Sequence, residues 1–190
     1  MIKTTKNAII FILIILLVTV GVVSVVFVAE RIYFYPLKFK EEVFSSSNEF
    51  GVDSALIFAT AQVESNFNKE AVSSKGAIVI MQIKPSTAEF IAQKLGVSDY
   101  DLFDAKTNIR FGSWYLSYLI TRFKNVDTAI CAYNAGETIV RKWLNNKEYS
   151  IDKTTLFKIP YPETLAYLKK IKKSRKKYQK LCVHILDKSF

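Results

Sequence analysis

Histidine is nearly absent from this sequence: His184 is the only one among 190 residues. A zinc site built from a pair of histidines is therefore excluded. The chain also lacks a GxGxxG motif, a phosphate-binding loop and a GxSxG elbow, which excludes the common dinucleotide, nucleoside-triphosphate and serine-hydrolase sites. We expect no metal and no cofactor, so any chemistry must come from carboxylates, hydroxyls and amides.

Cysteine is also scarce, with only Cys131 and Cys182. Cys131 lies in the apolar stretch "TAICAYNAG", where a small hydrophobic side chain suits a buried position. The two thiols could pair outside a cell, but a single spacing in sequence says nothing about geometry. We expect two free thiols in a domain that folds without a metal or a disulfide.

Charge is absent between Lys6 and Glu30, where 23 residues rich in isoleucine, leucine and valine follow one another. At 1.5 Å per residue, a helix of this length crosses a hydrocarbon core of roughly 30 Å. The run predicts one transmembrane helix, a signal anchor over residues 7–29. The alternative is a cleaved signal peptide, but its apolar region would be roughly 7–15 residues long and followed by a small-x-small site, and neither feature is present.

The charges beside this run predict its orientation. Lys3, Lys6 and the free amino terminus precede it, whereas Glu30 and Arg31 cancel each other directly after it. Because positive charge is retained on the cytoplasmic side, we expect residues 1–6 in the cytoplasm and the rest of the chain outside. The sequence therefore predicts a single-pass protein of the cell membrane with an extracytoplasmic domain.

Helix signals dominate the remainder of the chain, and no internal repeat is present. Residues 30–50 are predicted to form a juxtamembrane segment and a first helix, which Pro36 opens and Gly51 ends. Asp53 is positioned to cap the next helix.

Ser86 and Glu89 have the spacing of a capping box, which opens a helix that Gly96 ends. An irregular, hairpin-like loop is expected over residues 68–85, and a second loop over 145–162. Further helices are predicted at 108–123, 127–135 and 137–144, and from Pro162 onward. The fold class is therefore mainly α.

Positive charge is concentrated near the carboxyl terminus, in "LKKIKKSRKKYQK", within a chain of net charge +10. Such a run is usually a solvated helix face. Outside a cell it also attracts an anionic wall polymer or lipid headgroups rather than nucleic acid. The basic residues of this run are Lys169, Lys170, Lys172, Lys173, Arg175, Lys176, Lys177 and Lys180.

The stretch "ALIFATAQVESNFN" places Glu64 at the end of an apolar helical run, on the face that looks inward. Either the carboxylate turns to water at a helix end, or apolar surroundings raise its pKa. Cleavage of a glycosidic bond needs a proton for the leaving oxygen, which a carboxylic acid supplies. A hydrolase would add a second carboxylate, about 5 Å or roughly 6.5–9.5 Å away, and the candidates are Asp127, Glu137 and Glu163.

Four motifs in order carry a resemblance to a known family: "VESNFNKEAVSSKGAIVIMQIKPSTAEFIAQKLG", "DAKTNIRFGSWYLSYLITRF", "AICAYNAG" and "YPETLAYL". Together they resemble the catalytic domain of lytic murein transglycosylases of the soluble-lytic-transglycosylase type, over residues 51–168. Residues 169–190 are then a basic C-terminal extension. The resemblance implies a lysozyme-like helical fold with a short β-like loop, and cleavage of peptidoglycan glycan strands between N-acetylmuramic acid (MurNAc) and N-acetylglucosamine (GlcNAc) without hydrolysis.

The resemblance also implies residue roles. Glu64 matches the family's catalytic acid, which protonates the glycosidic oxygen and then, as a base, takes the proton of the muramyl C6 hydroxyl. That hydroxyl attacks C1 and leaves a 1,6-anhydro end. By this resemblance one carboxylate is enough, because the substrate's acetamido group supports the developing positive charge. The implied substrate-binding residues are Ser73, Met81, Gln82, Tyr133 and Asn134.

Several of these residues have a structural alternative. Ser65 follows the acid, and it either supports the residues that contact the substrate or makes only a helix-end hydrogen bond. Met81 could equally fill the core. Tyr161 and Glu163 of the last motif are further candidates for supporting the residues that contact the substrate. Together with Tyr167, they could also merely pack beside the cleft.

One position departs from the family's Gly-Leu-Met-Gln loop, because this chain has Val79 before Ile80, Met81 and Gln82. Glycine there would permit a positive φ or a close approach of sugar to backbone, and a β-branched residue permits neither easily. We expect the fold to be retained and the activity to be reduced or altered. Two alternative functions stay open: a lysozyme-type muramidase, and a non-catalytic protein that binds or assembles peptidoglycan.

Overall fold

A computed structural model describes residues 2–29, 33–74 and 76–186. Within them the chain contains helices and irregular segments but no strand, which confirms the predicted mainly α class. The chain divides into two units, Met1–Leu37 and Lys38–Phe190.

The first unit contains helix α1, Ile2–Ala29. Its stretch Ile9–Val26 is long and apolar enough to cross a membrane, judged by length and composition alone. The expected apolar helix over residues 7–29 is therefore present and begins earlier than predicted. Glu30 and Arg31, on which part of the orientation argument rests, lie outside the described residues.

The second unit contains the other helices of the described residues: α2, Lys40–Phe50; α3, Ser54–Ser65; α4, Pro85–Leu95; α5, Ala105–Phe123; α6, Val126–Ala135; α7, Glu137–Leu144; and α8, Pro162–Leu186. The prediction that Pro36 opens a helix is wrong. Phe39 has a left-handed backbone, with φ 54°, so α2 begins only after it, and it ends at Gly51 as expected.

Side-chain caps explain several of the other helix starts. Asp53 accepts a hydrogen bond from the Ala55 N–H at 2.9 Å, which begins α3 as predicted. Asp104 accepts one from the Thr107 N–H at 2.8 Å, so α5 begins three residues before the predicted start. The predicted capping box on α4 is wrong, because Pro85 already occupies the first turn and no side chain caps the helix.

Helices α3 and α8 form the centre of the core. Phe58 of α3 is fully buried, and its ring stacks on Tyr178 of α8 with centroids 5.2 Å apart. Ile171 and Ser174 of α8 are buried as well. The predicted boundary after Leu168 therefore falls inside one continuous helix, and much of the basic segment is a structural part of the domain. Residues 187–190 lie outside the described residues.

The loop between α3 and α4 is irregular and hairpin-like, as predicted, with isolated bridges from Val72 to Ile78 and from Ile78 to Ile83. The later part of the loop packs inward, where Val79, Ile80 and Met81 are fully buried. Elsewhere, Cys131 and Cys182 are both free and buried, as the sequence indicates.

Candidate active site

The end of helix α3 positions Glu64. The preceding turns of α3 are buried in the core, and the helix stops where Asn66 and Phe67 adopt left-handed backbones, with φ 52° and 61°. The Asn66 N–H closes the last turn on the Gln62 carbonyl at 2.8 Å. The acid therefore sits on a rigid element at the point where the chain turns away.

The environment of Glu64 favours its protonated form. Burial raises the pKa of Glu64 from 4.5 to about 7, although a hydrogen bond from the Tyr167 hydroxyl opposes the rise. That hydroxyl donates to Oε1 of Glu64 at 2.6 Å. Burial, and secondarily the charge of Glu64, raises the pKa of both Tyr133 and Tyr167 well above its usual value, so both phenols remain hydrogen-bond donors. A carboxyl group with a pKa near 7 can both give and take a proton at neutral pH.

A cavity of about 430 Å³ opens in front of Glu64. It is lined by α4, α5, α6, the first turn of α8 and the loop between α3 and α4. Besides Glu64, six of the residues singled out from the sequence line this cavity: Ser73, Gln82, Tyr133, Asn134, Tyr161 and Glu163. These residues are separated in sequence by up to about half the chain, and the fold brings them to one place.

Two other candidates lie outside the cavity lining. Met81 is fully buried, and its backbone carbonyl accepts a hydrogen bond from the Tyr133 hydroxyl at 2.9 Å. Ser65 donates to the Ile80 carbonyl at 2.8 Å and accepts from the Asn68 N–H at 3.1 Å. Both residues thus hold the loop between α3 and α4 to its surroundings. This is the structural role that the sequence left open as the alternative to contact with the substrate.

The loop that carries Gln82 has an unusual backbone. Val79 and Gln82 both have positive φ, 62° and 50°. The side-chain amide of Gln82 donates to the Val79 carbonyl at 2.7 Å, and the Val79 N–H donates to the Ala71 carbonyl at 2.6 Å. Position 79 therefore takes the conformation that glycine would favour, with a fully buried valine in its place, and the fold is retained as expected.

Sequence reasoning missed two residues of α5 that hold this loop. Asn108 accepts a hydrogen bond from the Met81 N–H at 2.7 Å and donates to the Ile78 carbonyl at 3.0 Å. At Gly112 an added Cβ would lie 2.7 Å from Met81, so no larger residue fits without moving Met81. The available signal was an amide on the buried face of α5, where a polar group must find partners.

Tyr167 is the third residue that was underrated, since its hydroxyl contacts the acid rather than only bordering the cleft. It lies on the buried face of α8, three residues after Thr164. The Thr164 hydroxyl donates to Oδ1 of Asn134 at 2.7 Å, which links α8 to α6 at the cavity wall.

Of the three candidate second carboxylates, only Glu163 lines the cavity. Asp127 pairs with Lys172 at 2.5 Å, and Glu137 pairs with Arg141 at 2.6 Å and with Arg122 at 3.1 Å. Among the described residues no group of three histidine, cysteine, aspartate or glutamate side chains could hold a metal ion.

Comparison with known families matches residues 41–157 to the family model described as "Transglycosylase SLT domain". The soluble lytic murein transglycosylase of Salmonella typhimurium is 33% identical over 143 residues, which cover 72% of this chain and 22% of that protein. The membrane-bound lytic murein transglycosylase C of Haemophilus influenzae is 30% identical over 186 residues, covering 85% of this chain and 52% of that protein. The chain thus spans between about a fifth and a half of the length of these relatives.

Solved structures are similar as well. The 70 kDa soluble lytic transglycosylase of Escherichia coli superimposes with a TM-score of 0.70 at 30% identity, covering 78% of this chain and 25% of that one. An inactive mutant of the lytic transglycosylase Slt from Pseudomonas aeruginosa superimposes with a TM-score of 0.69 at 31% identity, covering 77% and 25%. These matches confirm the predicted lysozyme-like helical fold.

Proposed function

Because the chain belongs to the transglycosylase SLT domain family, as its motifs predict, we propose that it is a peptidoglycan lytic transglycosylase. It cleaves the β-1,4 bond between MurNAc and GlcNAc and leaves 1,6-anhydro-MurNAc ends. The observation that carries this proposal is Glu64, an acid with a pKa of about 7 that faces an open cavity and is held by the Tyr167 hydroxyl.

The reaction needs no group beyond these and the substrate. Protonated Glu64 gives its proton to the glycosidic oxygen, and the bond from that oxygen to C1 of MurNAc breaks. The resulting carboxylate takes the proton of the C6 hydroxyl while that oxygen bonds to C1, so the acid is restored and no water is consumed. Because the nucleophile belongs to the same sugar, its proximity to C1 supplies much of the rate. Tyr167 keeps the carboxyl group in place throughout.

Product analysis tests this reaction. The full chain in detergent is incubated with purified peptidoglycan, and mass spectrometry identifies the new sugar ends. We expect anhydro-muramyl ends, which are one water lighter than reducing ends, and none with the Glu64→Gln variant. Reducing ends would instead favour a muramidase, for which Glu163 is the available second carboxylate. Binding of glycan without any product, unchanged in Glu64→Gln, would favour a non-catalytic protein.

We also infer that Val79 lowers the rate. A β-branched residue in a left-handed conformation is strained, and the strain lies in the loop that brings Gln82 to the cavity. We expect Val79→Gly to turn over peptidoglycan several-fold faster than the unchanged chain. Val79→Ala is the matched control, because it removes buried contacts without gaining freedom at φ. Equal turnover by the chain and Val79→Gly would contradict the inference.

Membrane attachment is part of the proposal. Helix α1 has the length and composition of a membrane span, and a membrane-bound lytic transglycosylase is among the relatives. We infer a single pass through the cell membrane, with the amino terminus in the cytoplasm and the SLT domain outside it, where peptidoglycan lies.

We also propose that the basic helix α8 contacts an anionic wall polymer or lipid headgroups, because its positive charges attract polyanions. Its exposed lysines give this contact a defined surface. Four exposed lysines, which form no salt bridge within the described residues, recur every three or four positions along α8: Lys169, Lys173, Lys176 and Lys180. At 100° per residue they share one face, opposite the buried face that contains Ile171 and Tyr178. This lysine face is a continuous cationic surface that suits a polyanion.

A further inference from the structure

The lining of the cavity in front of Glu64 carries two exposed charges of opposite sign. These are Lys84, the residue before α4, and Glu163, in the first turn of α8. Lys84 is the only cationic residue of the cavity lining, and Glu163 is the only acidic one besides Glu64. Both are exposed, and neither forms a salt bridge within the described residues. The charge on Lys84 is therefore available to a ligand.

The proposed substrate carries an anionic group close to the reacting carbon. MurNAc differs from GlcNAc by a lactyl ether on C3, which ends in a free carboxylate or in a stem peptide that bears carboxylates. Because C3 and the attacked C1 belong to the same ring, this substituent must leave the cavity across its wall. A carboxylate is attracted to Lys84 and repelled by Glu163, so the two charges favour an exit past Lys84.

We propose that Lys84 binds a carboxylate on the C3 substituent of MurNAc and thereby selects muramyl residues over GlcNAc at the reacting position. This inference rests on the proposed function, since it takes the glycan strand as the ligand of the cavity. It assigns to Lys84 a role in specificity rather than in proton transfer. Lys84 was not among the residues singled out from the sequence.

Binding measurements on the full chain in detergent test the proposal without any need for turnover. The Glu64→Gln variant serves as the background, so ligands remain intact. Three ligands are compared: peptide-free glycan strands, which carry lactyl carboxylates; strands that retain their stem peptides; and chitin oligomers of equal length, which carry no carboxylate. The first two ligands distinguish the lactyl carboxylate from the peptide carboxylates as the bound group.

We expect Lys84→Gln to weaken binding of at least one carboxylate-bearing ligand roughly three- to ten-fold and to leave chitin-oligomer binding unchanged. Lys84→Arg should keep most of the preference, and added salt should reduce it. Lys94→Gln, an exposed change at the other end of α4, is the matched control and should alter none of the three affinities.

The proposal is overturned if Lys84→Gln leaves all affinities unchanged, or if it weakens chitin oligomers as much as muramyl ligands. Either result would leave the proposed function intact, because cleavage depends on Glu64. Conversely, the chain could prefer carboxylate-bearing ligands through Lys84 and yet release no product from peptidoglycan. That result would contradict the proposed transglycosylase activity and support the assignment of the ligand to Lys84.

Discussion

Glu64→Gln is expected to lower the turnover of peptidoglycan roughly 1,000-fold, because one carboxyl group supplies both proton transfers of the proposed reaction. Glutamine keeps the shape of the side chain and can still accept a hydrogen bond from the Tyr167 hydroxyl, but it cannot give a proton to the glycosidic oxygen. Release of soluble muropeptides from purified peptidoglycan measures the effect. In the unchanged chain the same rate should fall as pH rises through about 7, where Glu64 loses its proton.

The same substitution should change how stability depends on pH. The pKa of Glu64 is about 7 in the folded chain and 4.5 without burial, so the folded state binds the proton more tightly. Well below pH 4.5 the carboxyl group is protonated in both states, so it does not lower the free energy of unfolding. As pH rises from 4.5 to 7, the unfolded state loses this proton while the folded state keeps it, so the free energy of unfolding falls by about 2–3 kcal/mol.

Glu64→Gln removes that fall, so the variant should gain about 2–3 kcal/mol relative to the unchanged chain between pH 4 and pH 8. Denaturant unfolding at the two pH values measures the difference. Glu89→Gln, an exposed change on α4, is the control. If the unchanged chain and the Glu64→Gln variant keep the same stability difference at both pH values, Glu64 is not held in a site that disfavours its charge.

The helices were predictable from the sequence wherever a local signal ends or begins them. Gly51 and Gly96 end helices in the left-handed conformation, and Asp53 caps α3, as their residue types indicate. One error arose where a second local signal competed, and another arose where no local signal was present. Pro85 begins α4 ahead of the capping-box serine, and the left-handed Phe39, which no pattern marks, delays the start of α2.

The site was predictable only in part. Glu64 could be singled out because a charge interrupts the apolar register of α3, and the resemblance added residues that do line the cavity, such as Gln82 and Tyr133. The bond from Tyr167 to Glu64 joins residues 103 positions apart, so no local pattern could reveal it. Lys84 was overlooked because an exposed lysine before a helix looks like an ordinary surface residue.

Asn108→Ala is expected to lower the free energy of unfolding by about 3–5 kcal/mol, the largest stability loss that the site residues predict. Asn108 is completely buried, and its amide satisfies three backbone groups: the Met81 N–H at 2.7 Å, the Ile78 carbonyl at 3.0 Å and the Leu102 carbonyl at 3.1 Å. Alanine leaves the Met81 N–H and the Leu102 carbonyl without these bonds in a place that water does not reach, while the Ile78 carbonyl keeps its bond from the Ile83 N–H at 3.2 Å. Asn145→Ala, an exposed change after α7, should stay within about 0.5 kcal/mol.

We expect the Asn108→Ala variant to lose more peptidoglycan turnover than its lower stability alone would explain. The loop held by Asn108 contains the left-handed residues Val79 and Gln82, whose strain persists only because neighbouring groups fix the backbone. Without the amide, the loop can relax, Gln82 can leave the cavity, and the Met81 carbonyl no longer holds the Tyr133 hydroxyl. Turnover measured well below the unfolding transition separates this local effect from unfolding, and normal turnover by a destabilised Asn108→Ala chain would show that the loop keeps its conformation without the amide.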